Sequence, residues 1–297
     1  MSDSLNFLDP NVLAGLDNLQ MRARVAVEGF LSGLHKSPHR GFSVEFSDYR
    51  HYQQGDDMRH VDWKLYARTE KFYIKQYEDE TNVRCVILLD TSASMAYSSA
   101  GMSKLDYGVT LASALAYFIM RQRDAVGLIT FDDRVNDYIP PKCRQPHLMQ
   151  ILRTLAKVRP GRTTDVVKPL TDLAASLRKK SMVILITDML DDEQRIVKTL
   201  QNMRAMGNDV IAFHIMDDAE LEFPFNEASE FIDMESNESY ITSPAAIRNA
   251  YLENLNDFLS YCKKQCQRSG VDYCLLNTSH PLDEALTAYM SKRAKSF

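Results

Sequence analysis

Two short apolar runs without polar interruption dominate the hydrophobic pattern of the chain, at residues 86–89 and 182–186. Runs of this length without alternation are typical of strands buried on both faces, as in the centre of a parallel sheet. Further strands are predicted over 124–131, 209–215 and 271–276. Each of the two dominant runs is soon followed by a carboxylate, Asp90 after the first and Asp188 after the second.

Segments with helical periodicity separate these strands. Apolar residues recur at steps of three and four from Leu105 onward, and Ser103 with Asp106 three residues later indicates the N-terminal cap of that helix. Further helices are expected near 146–155, 166–179, 192–206, 244–268 and 281–292. The alternation predicts an α/β fold with a doubly wound, mainly parallel sheet flanked by helices.

The first 82 residues have a different pattern. A helix is expected around 11–31, and 41–77 is rich in aromatic and charged residues with short strand-like stretches. We therefore expect an N-terminal α+β extension over 1–82 and an α/β domain over 83–297, with a small extended insert near 219–242 that forms a hairpin.

Composition excludes several classes of protein. The chain has 297 residues, of which 45% are hydrophobic, and a net charge of −5, so a globular core is expected and general attraction to nucleic acid is not. No signal peptide is recognised, the apolar stretch 107–120 is too short to span a membrane, and the five cysteines are scattered. A cytoplasmic protein with free thiols is the expectation.

Oxygen-bearing side chains follow the central strands. Asp90, Ser92 and Ser94 come after the first apolar run, Asp188 after the second, and residues 161–165 supply a further hydroxyl loop. Loops at the carboxyl ends of parallel strands converge. Such oxygen donors suit a hard divalent cation, Mg²⁺ or alternatively Mn²⁺ or Ca²⁺, with an open position for a partner carboxylate.

Other interpretations of these residues remain open. The Asp90 loop could simply cap a helix, the metal site could be vestigial, or Asp90 could be the nucleophile of a Mg²⁺-dependent phosphatase or hydrolase. The hydrolase interpretation is weakened because Ser92 stands where an Asp-x-Asp motif needs its second carboxylate. We therefore expect a non-enzymatic protein.

Asp90, Ser92, Ser94, Thr164 and Asp188 together resemble the metal-ion-dependent adhesion site of a von Willebrand factor A domain. The resemblance implies that the serines bind the ion directly, that Thr164 does so in the ligand-competent state, and that the carboxylates act directly or through water. Either Thr163 or Thr164 could be the ligand; Asp165 and the apolar helix start after it favour Thr164.

The stretch 45–69 resembles the signature block of domain-of-unknown-function family 58, whose members carry it ahead of a von Willebrand A-like domain and are often encoded beside MoxR-type AAA+ ATPases. The resemblance implies a metal-dependent protein-interaction module that is an adaptor or co-chaperone of such an ATPase. The block is either a salt-bridged scaffold or a partner surface. Its candidate surface residues are Asp56, Asp57, Arg59, Asp62, Trp63, Lys64 and Arg68.

Overall fold

The computed structural model describes most of the chain. It covers residues 18–36, 49–51, 66, 68, 71–75, 83–99, 101–161, 167–176, 181–226, 229–232 and 239–295.

Helices and strands alternate along the larger part of the chain. The helices are α1 (Leu19–Lys36), α2 (Lys104–Arg121), α3 (Gln145–Leu155), α4 (Val167–Ser176), α5 (Glu193–Ala205), α6 (Asp218–Glu222), α7 (Pro244–Arg268) and α8 (Asp283–Lys295). The strands are β1 (Tyr49–His51), β2 (Tyr73–Lys75), β3 (Arg84–Asp90), β4 (Ala125–Phe131), β5 (Val135–Lys142), β6 (Ser181–Thr187), β7 (Asp209–Met216), β8 (Ser229–Ile232), β9 (Ser239–Thr242) and β10 (Asp272–Asn277).

Six strands form the central sheet in the order β10-β7-β6-β3-β4-β5. All neighbouring pairs are parallel except β4 and β5, which are antiparallel. Counted along the chain within this sheet, the order is 3-2-1-4-5-6, which is a doubly wound arrangement. The predicted fold class is therefore confirmed, and the point where the order reverses lies between β3 and β6.

The two faces of the sheet carry separate hydrophobic cores. Alternate residues of β3 divide between them, with Ile87 on the face covered by α1, α2, α3 and α8 and Leu88 on the face covered by α4, α5 and α7. Both side chains are fully buried. This explains the uninterrupted apolar runs in the sequence, because the side chains on both faces of a central strand lie in an apolar core.

Local signals at the helix ends agree with the structure. Ser103 caps α2 by accepting a hydrogen bond from the backbone N–H of Asp106, and Asp192 caps α5 by accepting one from Arg195. Ser243 precedes α7 with a proline in the first turn, but its side chain makes no capping hydrogen bond. The proline in the first turn fits the start of α7 even without a capping hydrogen bond from the side chain of Ser243.

Strand β5 was not anticipated in the sequence. It lies at the edge of the sheet, most of its residues are exposed, and it contains Pro140 and Pro141. An edge strand needs neither continuous apolar residues nor a full set of backbone donors, so it leaves little pattern to detect.

The chain divides into two compact units. Residues 36–82 form the smaller one, in which β1 and β2 pair as antiparallel strands. Helix α1 belongs to the larger unit, since Ala26, Val27 and Phe30 are buried in the core beside α2. Within the larger unit, β8 and β9 form a separate antiparallel pair between α6 and α7. Part of the expected helix at 11–31 lies outside the described residues.

No helix within the described ranges is long and apolar enough to cross a membrane. The cysteines are free thiols, of which Cys85, Cys262 and Cys266 are buried and Cys143 is exposed.

Candidate functional site

The candidate site lies at the carboxyl ends of the two central strands. Asp90 is the last residue of β3, and Asp188 directly follows β6. The chain leaves β3 toward one face of the sheet and β6 toward the other, so a crevice opens between the two loops at the reversal of strand order. The fold therefore places both carboxylates where ligands bind in doubly wound sheets.

The loop after β3 gathers three oxygen-bearing side chains. Asp90 Oδ1 accepts a hydrogen bond from the backbone N–H of Ser92 over 2.8 Å, and the hydroxyl oxygens of Ser92 and Ser94 lie 3.0 Å apart. All three residues are buried. The two hydroxyls are hydrogen-bonded to each other, and two neutral oxygens this close together could both bind one cation.

The neighbouring strand holds Asp90 from its other side. Thr187 Oγ1, at the end of β6, donates a hydrogen bond of 2.6 Å to Asp90 Oδ2. The same hydroxyl oxygen accepts from the backbone N–H of Met189, which has a positive φ of 55°. Thr187 thus links the two loops, and it was not among the residues singled out from the sequence.

Burial, and after it the negative charge of Asp188, raise the pKa of Asp90 to about 7. Hydrogen bonds from Thr187 and Ser92 act in the opposite direction but only partly offset these effects. A cation in the crevice would stabilise the ionised form of Asp90, since it would replace the lost hydration and screen the repulsion between the carboxylates.

Asp188 is held by a buried lysine. Lys104 is the first residue of α2, and its Nζ lies 2.8 Å from Asp188 Oδ2. The other carboxylate oxygen of Asp188 accepts from the backbone N–H of Leu190 at 3.2 Å. The side chain of Lys104 is fully buried, so its charge is balanced by protein groups rather than by water.

A second carboxylate completes this ion-pair group. Lys104 Nζ lies 2.8 Å from Glu220 Oε1, while Glu220 Oε2 accepts from the backbone N–H of Asp217 in the capping box of α6. Burial by itself would lower the pKa of Lys104, but the charges of Asp188 and Glu220 outweigh it, and the pKa is raised. The ring of Tyr97 lies 5.8 Å from the ammonium.

His214 lies one strand further along the same edge of the sheet, where it pairs in register with Thr187. It is fully buried, and its Nδ1 lies 2.7 Å from the hydroxyl oxygen of Tyr273. Burial lowers the pKa of His214 to about 4. Its imidazole is therefore neutral near pH 7 and contributes no charge to the site.

The structure brings four of the five candidate metal ligands to one edge of the sheet: Asp90, Ser92, Ser94 and Asp188. Thr163 and Thr164 lie outside the described residues, as do Asp56, Asp57, Arg59, Asp62, Trp63 and Lys64. Arg68 is described only as an exposed residue with helical backbone. Among described residues, no group of three or more His, Cys, Asp or Glu side chains is arranged to hold a metal. The metal site stays a prediction.

The donors that are described nevertheless fit a hard cation. They are two carboxylates and two hydroxyls, with neither thiolate nor imidazole among them, and such sets favour Mg²⁺, Ca²⁺ or Mn²⁺ over softer ions. In a von Willebrand A-like site, Ser92 and Ser94 would hold the ion, and Asp90 and Asp188 would supply the balancing negative charge.

A polar cavity of about 430 Å³ lies beside the crevice, on the side of β4 and β5. Thr91, directly after Asp90, lines it together with Asp132 and Gly161. Gly161 donates its backbone N–H to the carbonyl of Thr91 over 2.6 Å, and a Cβ at this position would lie 2.6 Å from a carboxylate oxygen of Asp132. A larger residue at 161 would therefore displace the side chain of Asp132.

The fold is that of a von Willebrand factor A-like α/β protein. This class is defined by the strand order, by the antiparallel edge strand β5 and by the loops at the point where the order reverses. The chain belongs to the family described as "Protein of unknown function DUF58", which matches residues 48–257.

The chain is similar to several known proteins. An uncharacterized protein of Mycobacterium tuberculosis, Rv1480, is 25% identical over 221 residues, which are 73% of this chain and 68% of the relative. Among solved structures, an aerotolerance-related membrane protein from Bacteroides fragilis aligns over 72% of this chain and 99% of its own, with 18% identity and a TM-score of 0.50. The SpRpn10 VWA domain aligns over 70% of this chain and 94% of its own, with 12% identity and a TM-score of 0.40.

Proposed function

We propose that this protein is a non-enzymatic interaction module that binds a carboxylate of a partner protein through a divalent cation, Mg²⁺ in the first place. The observation that carries the proposal is the pair of buried serine hydroxyls, 3.0 Å apart and next to the buried carboxylate of Asp90, at the reversal point of the sheet. Hydroxyls and few carboxylates leave a hard cation electrophilic, so that it accepts an anionic ligand from outside.

The proposed partner is a MoxR-type AAA+ ATPase, for which the protein would be an adaptor or co-chaperone. Membership of family 58 supports this choice, since the resemblance to this family implies that such ATPases are often encoded beside its members. A client protein that offers an exposed Asp or Glu is the other expected ligand. The near-neutral charge of the chain, −5 over 297 residues, fits recognition that is concentrated at one cation rather than spread over a surface.

A hydrolase that uses Asp90 as a nucleophile is not favoured by the geometry. Both carboxylate oxygens of Asp90 already accept hydrogen bonds, from Ser92 and from Thr187, and the residue is fully buried. A nucleophilic carboxylate must be accessible to its substrate, whereas Asp90 is excluded from solvent. We therefore propose binding rather than turnover as the function of this site.

Affinity capture tests the proposal. The purified protein is immobilised and incubated with the MoxR-type ATPase of the same organism, in Mg²⁺ and in EDTA. We expect capture in Mg²⁺ that is lost in EDTA and lost in the double variant Asp90→Ala, Ser92→Ala. Ser98→Ala is the matched control, since Ser98 is an exposed serine of the same loop. Capture that is insensitive to both EDTA and the double substitution would refute metal-dependent binding.

A further inference from the structure

Lys104 is a charged residue that the proposed metal site does not need as a ligand, yet it is built into the site. We propose that Lys104 is a resident counter-cation: it holds Asp188 and Glu220 in place in the metal-free protein, and its charge weakens the binding of a divalent cation. The inference rests on the proposed function and adds a positioning residue that sets the metal affinity of the site.

The geometry places the ammonium between two carboxylates from distant parts of the chain. Asp188 lies 84 residues after Lys104 and Glu220 lies 116 residues after it, and both oxygen contacts are 2.8 Å long. The side chains of Lys104 and Asp188 are almost completely excluded from solvent. An ammonium in such a place fixes the position of both carboxylates whether or not a metal is bound.

The charges of Lys104 and of the three nearby carboxylates, Asp90, Asp188 and Glu220, explain why the site can exist without a metal and still attract one. The ammonium of Lys104 contacts the carboxylates of Asp188 and Glu220 but makes no described contact with Asp90, so the three carboxylates and the one ammonium together carry a net charge of −2 when all are ionised. Lys104 removes enough repulsion for the loops to assemble. The remaining negative charge is what a divalent cation would balance.

The same contacts imply competition between the lysine and the metal. Asp188 Oδ2 binds the ammonium and Oδ1 binds the backbone N–H of Leu190, so a cation must share this carboxylate with existing donors. Two cations near one buried carboxylate repel each other strongly because little water separates them. The expected consequence is a metal affinity lower than the oxygen ligands alone would provide.

Glu220 offers an opposite perturbation at the same place. Its Oε1 accepts from Lys104 and its Oε2 from the backbone N–H of Asp217, so the single carbonyl oxygen of an isosteric amide keeps one of these two contacts, while the backbone carbonyl still accepts from the hydroxyl of Tyr251. Loss of this negative charge makes the surroundings of the metal more positive. Lys104→Met and Glu220→Gln should therefore change the metal affinity in opposite directions, although both weaken the metal-free fold.

Calorimetric titration with MgCl₂ alone, combined with melting curves in EDTA, tests the inference. We expect Lys104→Met to lower the melting temperature in EDTA and to bind Mg²⁺ at least about tenfold more tightly than the natural sequence, and Glu220→Gln to bind it several-fold more weakly. Lys198→Met, an exposed lysine on α5, should leave both quantities unchanged. If Lys104→Met does not fold, Glu220→Gln decides the question.

Two failures can be told apart. If the natural protein binds Mg²⁺ and Asp90→Asn abolishes binding, but Lys104→Met and Glu220→Gln bind with unchanged affinity or with shifts of the same sign, the role of Lys104 is overturned and the proposed function stands. If the natural protein and all the variants fail to bind Mg²⁺, the metal-dependent function falls, and the role of Lys104 falls with it.

Discussion

The carboxylate of Asp90 should make the metal-free protein less stable as the pH rises. Burial and the charge of Asp188 raise its pKa from 3.8 to about 7 in the folded protein. The folded state therefore holds this proton more tightly than the unfolded chain does. Stability from this group is fully present below the unfolded pKa and is lost as the pH rises through the folded pKa, that is between about 4 and about 7.

The size of the effect follows from the two pKa values. A pKa change of one corresponds to about 1.4 kcal/mol, so the rise from 3.8 to about 7 corresponds to roughly 4 kcal/mol of unfolding free energy lost by pH 8. Asp90→Asn removes the charge and keeps the shape. The cost of a changed hydrogen bond to Thr187 or Ser92 is about 1 kcal/mol. At pH 8 in EDTA the variant should therefore be more stable than the natural protein.

Urea denaturation at pH 5, 6, 7 and 8 in EDTA measures the effect. The difference in unfolding free energy between Asp90→Asn and the natural protein should grow with pH and favour the variant above pH 7. The difference isolates Asp90 because histidines titrate equally in both proteins. Asp257→Asn, an exposed aspartate on α7, is the control and should show no such trend. Parallel pH profiles for Asp90→Asn and the natural protein would refute the reasoning.

Three further predictions concern stability. In Gly127→Ala the new Cβ would lie 2.7 Å from the carbonyl oxygen of Ile139 in β5, so the backbone must shift. Urea denaturation should show that the unfolding free energy falls by about 1–3 kcal/mol. Unchanged stability would contradict the close packing of β4 and β5. Asp192→Ala removes the cap of α5 and should lower the unfolding free energy by about 1 kcal/mol in the same measurement. Asp192→Asn should keep most of the stability, because asparagine is also a good capping residue. Because the pKa of His214 is lowered to about 4 in the folded protein, the unfolding free energy falls as the pH falls from 6.5 toward 4. His214→Gln should make the unfolding free energy depend less on pH in this range. A dependence as steep as that of the natural protein would show that another group is responsible.

Most of the fold could be predicted from the sequence because the central strands are buried on both faces. Residues 86–89 and 182–186 could be recognised as strands from their apolar runs alone, and Ser103 marked the start of α2 through local capping chemistry. Strand β5 escaped detection because its pairing with β4, rather than its own residue pattern, makes it a strand. The alternation of strand and helix indicated a doubly wound sheet, but the order of its strands was established only by their pairing in the structure.

For the candidate site, the sequence by itself determined which loops matter. Asp90, Ser92, Ser94 and Asp188 stand immediately after strands, and chain connectivity alone brings such positions to one edge of a parallel sheet. Only the tertiary structure showed which side chains balance the negative charges of these groups. Nothing near Lys104 in the chain indicates that its ammonium is buried, because its partner carboxylates, Asp188 and Glu220, come from other elements. Burial and long-range charge pairing depend on the whole fold, and they set the electrostatics of the site.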